Sequence, residues 1–374
     1  MTKHIAIIDH VGKKAGMDYY SSSLAKGFIT QKCNCTVYSN FVGIDADKIE
    51  YKPFFDGHTK ANSLIKLFSF LNATIKASFN AKRVNADLVI LHLFAANIVT
   101  LLFAAIPKLF GLKIAIISHD VSSFADNDNM LIQHIIYNRL ANFIIVHNQF
   151  SYKTLLESIH IGKPENIVII KHGGYLDHVG QRPVKTELRQ ELGLDEDGKY
   201  ILFFGQIKKV KGLDILLEAM NKIPDDIKLI IAGKPWKDDF SYYDELIEKY
   251  SLQQRVVKMI RFIDDAEREK LFFTADVNVL PYRIIYQSGV LLMAMSHGLP
   301  VIASNLPANQ EILENGKNGL LFNTEDSDDL AQQLKVYFSD SILSDVIAKN
   351  GLKTIDEEYG WNDIAKNYID IISH

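Results

Sequence analysis

Short apolar, β-branched runs alternate with helical patterns along the whole chain. In the first half these runs cover residues 5–8, 36–38, 88–91, 114–117, 143–146 and 167–170. A second series covers residues 200–204, 228–231, 256–259, 277–280, 301–303 and 320–322. Apolar strands separated by helices are typical of a parallel sheet that is covered by helices on both faces. The pattern predicts an α/β protein with two doubly wound parallel sheets.

A polar interval between the two series predicts a domain boundary. It covers residues 180–199, and the connection is expected near residues 180–186. We therefore expect an N-terminal Rossmann-like domain over residues 1–180 and a C-terminal one over residues 181–356. Residues 357–374 contain a last helix that could pack back on the first domain. A length of 374 residues agrees with two domains.

Composition indicates a well-cored globular protein, with 48% hydrophobic and 23% charged residues. The only cysteines, Cys33 and Cys35, are too close for an unstrained disulfide and too few for a closed zinc site. Reduced thiols and a cytoplasmic location are expected. The opening residues MTKHIAIID indicate a first strand rather than a signal peptide. No nucleic-acid partner is expected.

The apolar stretch from residue 88 to residue 106 allows two interpretations. It is long enough to suggest a membrane span, but His92 and Asn97 interrupt it. We favour a buried strand followed by an apolar helix that ends before Pro107, because proline disfavours helix interiors.

Basic residues are concentrated in the N-terminal half. Between residues 57 and 119 the only acidic residue is Asp87, and the basic ones are Lys60, Lys66, Lys76, Lys82, Arg83, Lys108 and Lys113. Residues 63–79 also carry an apolar helical stripe, formed by Leu64, Phe68, Leu71, Ile75 and Phe79. The stripe could pack inward or lie on a lipid surface. The second alternative makes residues 60–113 a candidate contact with an anionic membrane at the cytoplasmic face.

A polar turn precedes a short apolar helix in the second half. Gln287, Ser288 and Gly289 stand before six consecutive apolar residues, 290–295. Gly298 and Pro300 end that helix, and a strand follows. Free backbone N–H groups at a helix start beside small polar side chains form an anion site, although a buried helix with a serine cap is the simpler alternative.

A basic loop follows the first strand of the second series. Its sequence from residue 205 to residue 212 is GQIKKVKG, and the helical run LDILLEAM comes next. Lysine supplies point charge, and glycine lets the backbone approach oxygen atoms closely, so the loop suits a diphosphate. A solvated basic loop is the alternative for this segment alone.

Taken together, these motifs resemble the nucleotide-sugar domain of the family 4 glycosyltransferases, which have the GT-B fold. The resemblance rests on FFGQIKKVKGLDILLEAM, QSGVLLMAMSHGLPVIASN and NGKNGLLF. It extends over nearly the whole chain through IIDHVGKKAGMDYY, SHDV, IIKHGGY and the final YGWNDIAKNY. The fold that it implies is two Rossmann-like doubly wound domains facing a cleft, with the acceptor bound by the first.

The resemblance implies a retaining transferase of the group that makes bacterial polysaccharides and lipid-linked glycans. A hexose-type sugar would pass from a nucleoside diphosphate sugar to a hydroxyl of a glycan or lipid-linked acceptor. No metal and no cofactor beyond the donor substrate would be needed, because fixed cations and N–H dipoles stabilise the charge on the leaving diphosphate.

The family's site residues carry over to named positions. Lys211, with Lys208, would neutralise the diphosphate, and His119 would lie near the transferred sugar. Phe262 and Ile263 match the segment that lines the base. The remaining expected donor-binding residues are Gly16, Gly205, Gln206, Gln287, Ser288, Gly289, Val290 and Leu291.

The chain departs from the family pattern at its paired glutamates. Ile285 and Met293 stand at those positions, and Gln287 is the plausible replacement for the first. Gln206 stands where an arginine is usual. These departures keep a second interpretation open, a catalytically impaired relative that acts as a binding or scaffolding subunit.

Three further candidates are weaker. Asp126 and Asp128 have the spacing of a metal-binding pair, but no strand leads into that polar loop, so no metal is expected there. His10 and His172 stand at strand ends, where a structural role is favoured over a catalytic one.

Overall fold

The computed structural model describes residues 2–13, 16–43, 49–55, 62–121, 129–236 and 239–373. The chain divides into two compact units. Unit 1 consists of Met1–Gly173 and Tyr359–His374, and unit 2 of Gly174–Glu358. The boundaries expected from the sequence were 180/181 and 356/357.

Each unit is built on one parallel sheet. The strands of unit 1 are β1 (His4–Ile8), β2 (Asn34–Tyr38), β3 (Glu50–Lys52), β4 (Leu88–Leu93), β5 (Ile114–Ser118), β6 (Phe143–Val146) and β7 (Ile167–Ile169). Those of unit 2 are β8 (Lys199–Phe204), β9 (Ile227–Ala232), β10 (Val256–Met259), β11 (Val277–Leu280), β12 (Val301–Ser304) and β13 (Leu320–Phe322).

Helices form most of the connections between strands, because parallel pairing needs a crossover connection. In chain order they are α1 (Met17–Thr30), α2 (Ser63–Arg83), α3 (Ile98–Leu109), α4 (Met130–Ile135), α5 (Gln149–Ser158), α6 (Lys185–Glu191), α7 (Leu213–Met220), α8 (Ser241–Lys249), α9 (Asp265–Thr274), α10 (Gly289–Ser296), α11 (Pro307–Gln310), α12 (Ser327–Ser339), α13 (Ser341–Glu358) and α14 (Trp361–Asp370).

The strand order of both sheets defines where ligands are expected. Unit 1 has the order β3-β2-β1-β4-β5-β6-β7, and unit 2 has β10-β9-β8-β11-β12-β13. The order reverses between β1 and β4 in unit 1 and between β8 and β11 in unit 2. In open α/β sheets, ligands bind at such a switch point, beyond the carboxyl ends of the strands.

The final helix α14 belongs to unit 1, where it packs on α1. A Cβ atom at Gly27 would lie 2.5 Å from the carbonyl oxygen of Trp361, so only glycine allows the helices this close. The hydroxyls of Tyr20 and Tyr368 lie 3.4 Å apart in the same buried contact. The last helical segment therefore contributes to the core of the first sheet.

The prediction of two doubly wound parallel sheets is confirmed, and each of the predicted runs forms a strand. The prediction missed β3. It was also wrong to end the helix before Pro107, because α3 continues to Leu109. Pro107 lies in the last turn, where the missing N–H removes a single helical hydrogen bond. The described part of the chain holds no helix long and apolar enough to span a membrane.

The apolar stripe of α2 faces outward, so the alternative in which it packs inward is wrong. Leu64 and Phe68 are 78% and 76% exposed. The buried face of α2 consists of small residues, namely Ala73, Thr74, Ala77, Ser78 and Ala81. Small side chains let the helix lie close to the rest of unit 1, and Leu64, Phe68, Ile75 and Phe79 of the stripe are left on the outer face.

Candidate functional site

The basic loop of unit 2 lies at the switch point of its sheet. It leaves β8 at Gly205, which has a φ of 111°, and reaches α7 at Gly212, which has a φ of 66°. A Cβ atom at Gly212 would meet the carbonyl oxygen of Pro281 at 1.8 Å, and one at Gly233 would meet that of Gly205 at 1.8 Å. Glycine is therefore required where this loop contacts the loops that follow β11 and β9.

Aromatic rings hold the two lysines that were predicted to bind the diphosphate. The ammonium of Lys208 lies 4.4 Å from the ring centre of Trp236. That of Lys211 lies 3.7 Å from the ring centre of Tyr282, which is buried. Cation–π contacts restrict where each charge can lie without neutralising it. Both side chains are half-buried, so their charges are less screened than those of fully exposed lysines.

Arg283 fixes this loop to the loop that follows β11. Its backbone N–H donates to the carbonyl of Val210 over 2.9 Å. Its guanidinium donates to the carbonyl of Lys209 over 2.7 Å and to both carboxylate oxygens of Asp214 over 2.9 and 2.7 Å. Sequence reasoning did not select Arg283. The available signal was an arginine three positions after the predicted strand 277–280.

The predicted anion site forms the start of α10. Ser288 caps the helix, and its Oγ accepts from the N–H of Leu291 over 3.2 Å. The N–H groups of Gly289 and Val290, in the first turn, have no intrahelical carbonyl to bond. A Cβ atom at Gly289 would lie 3.0 Å from the hydroxyl of Tyr175, so glycine keeps the helix start close to this ring.

Apolar side chains stand on both sides of that turn. Ile285 and Met293 are each 7% exposed. Neither can accept a hydrogen bond from a sugar hydroxyl. Gln287, two positions after Ile285, is half-buried. Burial raises the pKa of the Tyr282 hydroxyl above its ordinary value, so this group stays protonated.

A cavity of about 490 Å³ lies on the other side of the basic loop. Phe262, predicted to line the base, is part of its wall and is 75% exposed, whereas Ile263 is buried. Two backbone hydrogen bonds connect the basic loop to the segment that lines the cavity. The N–H of Ile207 donates to the carbonyl of Lys234 over 3.0 Å, and the N–H of Trp236 donates to the carbonyl of Ile207 over 3.1 Å. Among the residues that the structure describes, its lining is Lys234, Pro235, Phe240, Ile260, Arg261 and Phe262.

In unit 1, His119 directly follows β5 at the carboxyl edge of the sheet. Its Nε2 lies 2.9 Å from Nδ1 of His92. Its ring stacks on Phe94, with ring centres 4.4 Å apart. Gly16, with a φ of 75°, precedes α1 in the loop after β1. Both predicted residues therefore lie at one edge of the first sheet.

Two further histidines, His147 and His172, surround the same position. Burial lowers the pKa of His92 to about 4, that of His147 to about 3 and that of His172 to about 4. Burial and the neighbouring histidines also hold the pKa of His119 well below its ordinary value. These rings are therefore neutral near pH 7. Within the described ranges, no cluster of metal-ligating side chains could hold a metal ion.

The predicted residues thus form one group in each unit. The group of unit 2 follows the carboxyl ends of β8, β10 and β11, and the group of unit 1 follows β1 and β5. Asp126 and Asp128, the weak metal candidates, lie outside the described residues, as does Lys60 of the basic segment.

Curated relatives share sequence with half of the chain. An uncharacterized glycosyltransferase of Methanocaldococcus jannaschii is 31% identical over 189 residues, which cover 50% of this chain and 48% of that protein. Spore coat protein SA of Bacillus subtilis is 30% identical over 206 residues, which cover 51% of this chain and 52% of that protein. The chain spans about half the length of the curated relatives it matches.

Solved structures extend the likeness to the whole fold. Anabaena HepE, in complex with UDP and glucose, has a TM-score of 0.79 at 20% identity and covers 99% of both chains. Sucrose-phosphate synthase from Thermosynechococcus elongatus has a TM-score of 0.78 at 20% identity, with 99% of this chain and 98% of that chain covered. Two parallel-sheet units with these neighbours define a GT-B protein. Residues 184–354 match the model of the family "Glycosyl transferases group 1", so unit 2 carries a domain of that family.

Proposed function

We propose that the protein is a glycosyltransferase that moves a hexose-type sugar from a nucleoside diphosphate sugar to a hydroxyl of a glycan or lipid-linked acceptor. One observation carries this proposal. Lys208 and Lys211 are held by aromatic rings in a loop that Arg283 fixes to the segment leading into α10. Two positive charges and a helix N-terminus at one switch point form a diphosphate site.

The proposed chemistry follows from the charge of that site. As the glycosidic bond breaks, the leaving diphosphate gains negative charge, and preplaced cations stabilise this state more than the ground state. Lys208, Lys211 and the N–H groups of Gly289 and Val290 would supply that stabilisation. Transfer with retention of configuration and without a metal is part of the proposal and rests on the resemblance of the motifs.

The donor that we propose is a UDP-sugar. HepE, of the same fold, was solved with UDP-glucose. In this chain, the cavity beside Phe262 would take the base, and Lys208 and Lys211 would take the diphosphate. The cavity and the basic loop belong to one unit and share backbone hydrogen bonds through Ile207, so a single ligand would reach both.

A binding or scaffolding subunit without turnover is the second candidate. The observation in its favour is the burial of Ile285 and Met293 beside α10. Apolar side chains at these two positions give the donor sugar no carboxylate to bond. Under this alternative, the nucleotide site would be kept and sugar recognition lost.

A lipid-linked acceptor would bring the protein to a membrane, and the outer face of α2 and α3 suits that contact. Leu64, Phe68 and Phe79 on α2 and Leu109 on α3 are exposed, Leu109 by 85%. The same segment is rich in lysine and has one acidic residue, Asp87. Apolar insertion combined with positive charge is the chemistry that binds anionic lipid surfaces.

A binding screen followed by a turnover assay tests the function. Thermal shift with UDP-, GDP-, ADP- and dTDP-sugars should identify the donor, because a ligand at 100 times its dissociation constant adds about 2.7 kcal/mol of stability. The stabilising sugar is then assayed for hydrolysis and for transfer to glycan and lipid extracts. Binding without turnover on any acceptor supports the scaffolding alternative, and no binding at all contradicts both candidates.

A further inference from the structure

Four polar side chains of unit 1 form a continuous chain of contacts that leads to His119. Asp9 follows β1, and its Oδ2 accepts from the hydroxyl of Ser21 over 2.8 Å. Oγ of Ser21 lies 3.4 Å from Nε2 of His92, and Nδ1 of His92 lies 2.9 Å from Nε2 of His119. Asp9, Ser21 and His92 are completely buried. Water therefore offers these three groups no alternative partner.

The donor and acceptor roles along this chain can be assigned from Asp9. Its Oδ1 accepts from the N–H groups of Val11 and Gly12, each over 2.9 Å, and its Oδ2 accepts the proton of Ser21. A serine hydroxyl has one proton, so Ser21 can only accept from His92. His92 must then carry its proton on Nε2 and present a lone pair at Nδ1. His119 completes the series, because its Nε2–H donates to Nδ1 of His92.

We infer that Asp9, through Ser21 and His92, fixes His119 in the tautomer that carries its proton on Nε2 and a lone pair on Nδ1. Asp9, Ser21 and His92 are then positioning residues. The lone pair on Nδ1 of His119 accepts a hydrogen bond from a hydroxyl of the ligand. The inference rests on the proposed function, which supplies a ligand with sugar hydroxyls. The tautomer itself is a property of the protein without ligand.

The surroundings of the chain hold its rings in place. Tyr20 meets His92 and His119 edge-on, with ring centres 5.2 and 5.6 Å away. Phe94 stacks on His119 with an angle of 4° between the ring planes. Burial keeps His92 and His119 neutral, so one proton per ring has to be placed on one of two nitrogens.

Asp9→Asn provides the test because it keeps the shape of the side chain and reverses one hydrogen bond. The new amide group would donate to Ser21, whose proton would then be free to point at His92. His92 would move its proton to Nδ1, and His119 would accept at Nε2 and carry its proton on Nδ1. The readout is a two-bond ¹H–¹⁵N correlation on protein labelled at its 12 histidines. The His119 signals are assigned by their loss in His119→Gln.

The expected result is an Nε2–H signal for His119 in the wild type and an Nδ1–H signal in Asp9→Asn. The matched control is Asp87→Asn, whose carboxylate accepts from the N–H of His4 at the other end of β1, and it should leave the tautomer unchanged. Ser21→Ala removes the hydroxyl that links Asp9 to His92, so His119 should then populate both tautomers. This variant keeps the test available if Asp9→Asn does not fold. A wild-type His119 with its proton on Nδ1 overturns the inference.

Activity separates the inference from the proposed function. Replacing an acceptor by a donor at His119 should lower kcat roughly tenfold, the effect of one lost hydrogen bond, and leave the affinity for UDP unchanged. If the His119 tautomer reverses in Asp9→Asn but the wild type turns over no nucleotide sugar, the inference is supported and the proposed transferase function is contradicted. A reversed tautomer with unaltered kcat overturns the role assigned to His119.

Discussion

The guanidinium of Arg283 donates to both carboxylate oxygens of Asp214 and, in addition, to the carbonyl of Lys209. A bidentate pair of this kind depends on the planar fork of arginine, which lysine does not have. Both side chains of the pair are largely buried, with 22% and 20% exposed. This contact therefore fixes the basic loop and the first turn of α7 to the loop that leads from β11 to α10.

Replacing Arg283 by lysine should weaken both the fold and nucleotide binding. The charge remains, but the paired hydrogen bonds and the contact with Lys209 are lost, and we expect a loss of about 1–2 kcal/mol in the free energy of unfolding. Urea unfolding measures that loss, and titration with UDP measures the affinity. Arg182→Lys, at an exposed position of the same unit, is the control and should change neither quantity. If Arg283→Lys and Arg182→Lys bind UDP with equal affinity, Arg283 does not contribute to the nucleotide site.

Lys211→Ala should lower transfer by two or more orders of magnitude. The lysine would neutralise charge that develops on the diphosphate, and such a contact contributes roughly 3 kcal/mol in the transition state. Steady-state kinetics with the donor found in the binding screen gives the value. Lys209→Ala is matched in charge and loop, and its side chain is exposed, so it should retain most activity. Unchanged turnover in Lys211→Ala would remove that residue from the site.

Phe68→Glu should release the protein from anionic vesicles. Phe68 is 76% exposed on the outer face of α2, where a carboxylate would oppose both apolar insertion and the attraction of nearby lysines. Each lysine near such a surface contributes about 1 kcal/mol. Co-sedimentation with vesicles of defined anionic lipid content is the measurement. Ile342→Glu, at an equally exposed apolar position of α13, should leave binding intact. Wild-type binding that ignores both salt and lipid charge would count against the surface.

Acid should destabilise unit 1 through its buried histidines. The pKa of His147 falls from 6.5 to about 3 on folding, so only the unfolded chain takes up this proton as the pH drops below 6.5. Stability is then complete above that value and decreases toward the folded pKa, by about 2 kcal/mol at pH 5 for one such histidine. Urea unfolding at pH 7 and pH 5 gives the difference. His147→Gln should shrink it by about that amount, and the exposed control His160→Gln should not.

The sequence predicts the sheets well because buried parallel strands are continuous apolar runs. It misses β3, whose residues Glu50–Lys52 are polar and only partly buried at the sheet edge. The sequence did not determine whether the apolar stripe of α2 faces inward or outward, because periodicity identifies an apolar face but not what covers it. Small residues such as Ala73 and Ala77 decide that question by close approach, which is a tertiary property.

The candidate site was predicted in part, for a related reason. Lys211 and Ser288 stand in motifs whose residue types indicate an anion site directly from the sequence. Arg283 acts through Asp214 and Val210, which lie 69 and 73 positions before it in the chain. The hydrogen-bonded series from Asp9 to His119 likewise depends on a distant partner, because His92 lies 71 positions after Ser21. Such partners are determined only when neighbouring strands bring their ends together.

The place of α14 has a consequence for synthesis. Because Trp361 and Tyr368 pack against Gly27 and Tyr20, the core of unit 1 includes residues from both ends of the chain. Unit 2, by contrast, is one continuous segment, Gly174–Glu358. Domains generally fold as units during translation. On the ribosome, unit 2 can therefore be complete while unit 1, though begun earlier, still lacks its last helix.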